Sequence, residues 1–164
     1  VVGTVGDECH ACSGNLSIYY LSETPSGLKL DGSFPNFMPS GSWGAYSDQI
    51  EAKSLTDFHG KAVAAITVLD GYSGMGCSVS SLDVVLLLPS GPHLALTTPM
   101  GMSNDSDEVT AKVLPAPSPN SIMDLHYSRV HPLPNAETVV RFSINEAYTI
   151  SSIDEIPTWA SAGC

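Results

Sequence analysis

Basic residues are scarce in this chain. Six Lys and Arg stand against seventeen Asp and Glu among 164 residues, a formal net charge of −11 at pH 7. Lys29, Lys53, Lys61, Lys112, Arg129 and Arg141 are too few and too scattered to build the basic patch that nucleic acid requires, and an anionic membrane surface is disfavoured for the same reason. Charge of either sign is thin, at 14% of residues against a usual value of roughly a quarter. The surface is therefore expected to be built from Ser, Thr, Asn, Gly and Pro. No apolar run approaches the roughly 18 to 20 residues of a membrane-crossing helix. The longest, Val84 to Leu88, has the length of a strand. The chain also lacks an initial Met and a charged-then-apolar leader, so export with a signal peptide already removed is the expectation.

Cysteine is sparse but even in number. Cys9, Cys12, Cys77 and Cys164 allow three pairings. A small Cys9–Cys12 loop and a long Cys77–Cys164 bridge are expected, the second pinning the C-terminus and stabilising by about 4 to 5 kcal/mol in the chain-entropy picture. An oxidising, extracytoplasmic compartment follows: periplasm, cell surface or medium.

What is abundant is strand pattern. From Lys61 to Thr98 the chain reads KAVAAITVLD, GYSGMGC, SVSSLDVVLLL, PSGP, HLALTT. Three runs rich in Val, Ile, Leu, Ala and Thr are separated by turn residues, the signature of consecutive antiparallel strands. The first two runs are apolar on both faces and should lie inside a sheet covered on both sides. NLSIYYL, IMDLHYSRV and TVVRFSINEAYTI alternate as half-buried strands, whereas LKLDG and VTAKVL predict short ones. Tyr46 to Phe58 fits either a helical turn or an edge strand. Val1 to Glu8 is a lead-in, either flexible or an edge strand. Residues 1–164 thus predict a single all-β domain, an antiparallel sandwich or barrel of about eight to ten strands with long loops, little helix and disulfide staples.

Motifs for chemistry are few. Cys9-His10-Ala11-Cys12 is not followed by the His of a haem site, nor by a helix that would lower a thiol pKa, and no second ligand pair completes a zinc knuckle. A structural disulfide is the leading reading, with redox or metal chemistry as the alternative. Gly71 to Gly76 misses the nucleophile-elbow and dinucleotide spacings and reads as hairpin glycines. Asn104-Asp105-Ser106-Asp107-Glu108 places three carboxylates close together; calcium at Asp105, Asp107 and Glu108 is one reading, a solvated acidic turn the other. His126 and Asp124 share a strand face, but no motif supplies a nucleophile or an oxyanion hole. The Pro- and aromatic-rich stretch from Ser33 to Trp43 reads as a loop, packed by its own side chains or used for binding, and marks Phe34, Phe37 and Trp43, with Tyr46 just beyond it, as candidate contact residues.

No family's defining motif stands in the sequence. The expected function is that of an exported, non-catalytic β-module acting by association with a protein partner or with itself, and no cofactor is expected beyond the calcium reading. The alternatives are a redox or metal protein using the Cys9 to Cys12 cluster, and a calcium-dependent binding module using the Asp105 to Glu108 loop.

Overall fold

The computed structural model describes residues 2–5, 14–40, 49–74, 76–115, 117–131 and 134–161. The first three strands, β1 (Val2–Val5), β2 (Gly14–Thr24) and β3 (Gly27–Ser40), form an antiparallel sheet in the order β1-β2-β3. A second sheet holds β4 (Ile50–Thr56), β5 (Ala62–Gly74), β6 (Cys77–Leu88), β7 (Gly91–Ser103), β8 (Glu108–Val113), β9 (Met123–His131), β10 (Ala136–Ile144) and β11 (Ile150–Ser152). Each of these eight strands pairs with its neighbours in sequence, an unbroken antiparallel meander. Among the described residues the only helical element is one 3-10 turn, Thr158–Ala160. None of them forms a helix long and apolar enough to cross a membrane.

The Lys61 to Thr98 stretch behaves as its pattern requires. In β6 the residues Leu82 to Leu86 are all buried, and alternate positions go to different cores. Leu82, Val84 and Leu86 join a large inner cluster with residues of β5 and β7 to β11, including the fully buried Leu125, Tyr127, Val140 and Phe142. Val85 faces outward and meets Ile66, Val68, Leu16, Ile18 and Met38, the smaller cluster through which the three-stranded sheet packs on the meander. Two-sided burial is why these strands are continuous apolar runs rather than alternating ones. Residues from β5 to β11 share the inner cluster, and β4 and β11 line one cavity, so the meander curls about its inner face. It does not close, since β4 and β11 remain at opposite ends of the strand order.

One detail differs from expectation. LKLDG does not end in a loop at Ser33: β3 continues for fourteen residues through Phe34, Pro35, Phe37 and Pro39. Its prolines are tolerated because β3 is an edge strand, where a missing N–H can face away from the ladder. The aperiodicity comes from a bulge, since pairing jumps from Leu16–Met38 to Ile18–Phe34 and Asn36 takes φ 52° while its N–H bonds the Ser17 hydroxyl. The ambiguous Tyr46 to Phe58 segment resolves, where described, into the edge strand β4. Of the cysteines only Cys77 is described; Cys9, Cys12 and Cys164 lie outside the described residues, and so do both expected bridges.

Candidate functional site

Of the predicted contact residues, Phe34 and Phe37 lie on the edge strand β3 rather than on a loop. Phe34 is half-buried, its ring 5.4 Å from that of Tyr20 and pressed on Gly91, where a Cβ would come within 3.0 Å of the ring. Gly91 also has φ 130°, so both its conformation and the aromatic lid demand glycine. Phe37 packs beside the small cluster between the sheets. These two aromatics anchor one sheet on the other. Trp43 and Tyr46 lie outside the described residues, as does the Cys9-His10-Ala11-Cys12 cluster.

The acidic stretch is a tight connection between β7 and β8. The Asn104 side-chain oxygen accepts the N–H groups of Ser106 and Asp107, each at 2.8 Å, which turns the chain. Asp105, Asp107 and Glu108 are thereby spread round the bend. Among the described residues no group of three or more His, Cys, Asp or Glu could hold a metal ion.

Asp124 and His126 also part company. His126 Nε2 sits 3.6 Å from Glu137, whereas Asp124, only 1% exposed, takes hydrogen bonds from the Ser118 N–H and from the hydroxyls of Ser118 and Ser121. Burial pushes the Asp124 carboxyl up, but those hydrogen bonds and the neighbouring Arg141 outweigh it and hold the group below the usual range. Asp124 thus fastens the Pro-rich connector between β8 and β9. Arg141 is itself forked onto Asp154, with contacts of 2.9 and 2.7 Å, and this pair ties the C-terminal segment to β10.

No family model, no curated protein and no solved structure matches this chain. Its own geometry must supply the candidate sites, and it offers two that pattern reading passed over.

The first is the outer part of the β2–β3 ribbon. Leu21 pairs with Leu30 and Glu23 with Leu28, which places all four on one face. Leu21, Leu28 and Leu30 are 38%, 68% and 55% exposed. On the opposite face Ser22 and Lys29 hydrogen-bond Asp31 and hold its carboxyl below the ordinary value. The signal was present as the alternation of LKL, but alternation alone assigns the apolar face to a core. Here the ribbon reaches past the sheet it packs on.

The second is a cavity of about 480 Å³ inside the curled meander. Its floor is formed by the buried Thr67, Leu82, Val84, Met100, Met123 and Ile150. Gln49, Glu51 and Lys53 of the β4 side form one rim, and Val113, Leu114, Pro115 and Pro117 of the connector form the other. No local pattern could reveal it, because its walls come from opposite ends of the meander.

Proposed function

We propose that this chain is an exported, non-catalytic β-module that works by association with another protein, with the outer β2–β3 ribbon as its contact element. One observation carries the reading: three neighbouring leucines stand on a single exposed face. Contiguous exposed apolar surface marks interaction sites, whereas isolated exposed leucines do not. The edge of β3 supports the same reading. Pro35 and Pro39 blunt its distal half, while Gly27 to Ser33 carries no proline and can accept an added strand. The net charge of −11 opposes a second copy, so the partner is a protein with an apolar strip and a basic rim.

Export belongs to the same proposal and rests on the cysteines. No free cysteine stands among the described residues, which agrees with pairing of Cys77. The test is native mass spectrometry of the protein from its own source, with the non-reduced mass measured alongside. A hetero-complex is expected, with a mass four hydrogens below the reduced chain. The double variant Leu28→Ser/Leu30→Ser should lose the complex while its stability moves by less than about 0.5 kcal/mol. A variant that keeps its partner, or a native protein that is only a monomer or a homo-oligomer, overturns the reading.

A further inference from the structure

The geometry points to the cavity inside the curled meander as a binding site for a small uncharged amphiphile, a long-chain alcohol in chemical type. Its size lies within the roughly 300 to 1,000 Å³ of small-molecule sites, and an eight-stranded curl is about wide enough for one such ligand. The floor is apolar apart from one group. Thr67 lines it at 8% exposure, and its hydroxyl has no side-chain hydrogen bond among the described residues. That hydroxyl is open to the cavity, and a ligand carrying one hydrogen-bonding group can take the place of water on it.

Charge decides against an ionised head group. The rim cation Lys53 is already committed to Glu51 at 2.5 Å, and the whole chain carries −11, so an anion meets repulsion and no free counter-charge among the described rim residues. A cation finds no free carboxylate among the described rim residues, because Glu51 is paired with Lys53. The wall is also preorganised. Asp124 holds Ser118 and Ser121 of the connector, and the Leu114 N–H bonds the Asp124 carbonyl at 2.9 Å, so little ordering is left for the ligand to drive.

The experiment uses the intact protein and N-phenyl-1-naphthylamine, a neutral apolar fluorophore, displaced in turn by dodecan-1-ol and by dodecanoate at pH 8. Saturable one-to-one fluorescence enhancement is expected, with dodecan-1-ol displacing the dye at least tenfold more effectively than dodecanoate. Thr67→Val should weaken dodecan-1-ol about fivefold, the worth of one hydrogen bond, and leave the dye's own affinity unchanged. Leu82→Trp, which fills the floor, should abolish binding of both. Absence of saturable enhancement, equal displacement by the carboxylate, or an unaltered response in Thr67→Val overturns the proposal. Should Leu82→Trp fail to fold, the nearly isosteric Thr67→Val still decides. The outcome is independent of the ribbon, because Leu28→Ser/Leu30→Ser leaves every cavity residue in place.

Discussion

The two faces of β5 and β6 serve cores of different quality. The inner face contributes to a cluster of sixteen buried described residues drawn from seven strands and the C-terminal turn, and the buried Tyr127 and Thr98 hydroxyls there are matched. Tyr127 donates to the Pro99 carbonyl at 2.9 Å and lies 3.2 Å from the Thr98 hydroxyl. The outer face supports only six buried described residues, with Tyr20 and Phe34 at the margin. There the Tyr20 hydroxyl is buried without a partner among the described residues. Asp83 is also caught beneath the small sheet, where burial and the Asp70 charge push its carboxyl up despite the Thr97 hydrogen bond. One pair of strands therefore carries a large core on one side and a smaller joint on the other. Among the described residues the joint buries less apolar area, which makes it the weaker element.

The strongest way to break this comparison is to cut each core. Phe142→Ala should cost about 3 to 5 kcal/mol and lower the global unfolding midpoint in urea. Leu16→Ala should cost about 2 to 5 kcal/mol, but with hydrogen exchange accelerating first in β1 to β3 while β5 to β10 stay protected. Simultaneous loss of protection in both sheets would show that the joint is not weaker.

A finer contrast lies in the two tyrosines. Removing the Tyr127 hydroxyl leaves a buried carbonyl and hydroxyl unmatched, so Tyr127→Phe should destabilise by about 1 to 2 kcal/mol. Tyr20→Phe removes a group with no described partner and should be neutral or stabilising by up to about 1 kcal/mol. Chemical denaturation of the two variants measures both, and equal losses would contradict the assignment of a matched and an unmatched hydroxyl.

The smallest effect is a divergence with pH. The folded-state pKa of Asp83 is raised, so its ionisation opposes folding: the penalty is absent below the unfolded-state value of about 4, grows as pH rises, and is complete above the raised value. Asp83→Asn should thus raise the melting temperature at pH 7, and the gain should vanish in acid. Asp154 runs the other way. Hydrogen bonds from the Arg141 side chain and backbone N–H, with the Arg141 charge behind them, lower it to about 2, so its stabilisation is present above pH 4 and lost as pH falls through 2. Asp154→Asn should be less stable than the wild type at pH 7 and indistinguishable from it near pH 2. Melting curves between pH 2 and 7 test both signs.

Much of the strand set was readable because burial on two faces or on one leaves a local mark. The run Leu82 to Leu86 and the alternation of Met123, Leu125 and Tyr127 both became strands with those residues buried. The Gly71 to Gly76 hairpin was equally readable: Gly74 pairs with Cys77, and Gly76 sits at φ 79°. The described part of the Ser33 to Trp43 stretch, up to Ser40, misled because a bulged edge strand with prolines has neither period nor ladder constraint. Phe34 then looked like a free aromatic, when its partner was Gly91, far along the chain.

By itself the sequence determined an all-β chain of antiparallel strands and an acidic composition poor in cations, since composition and period are local quantities. Only the tertiary structure decided which apolar faces stayed in solvent. Leu28 and Leu30 alternate as a core face does, yet nothing packs over them among the described residues; Leu82 and Ile150 meet across a cavity because the meander curls without closing. Both outcomes depend on how far each strand reaches over its neighbours, and no residue's own neighbours along the chain encode that distance.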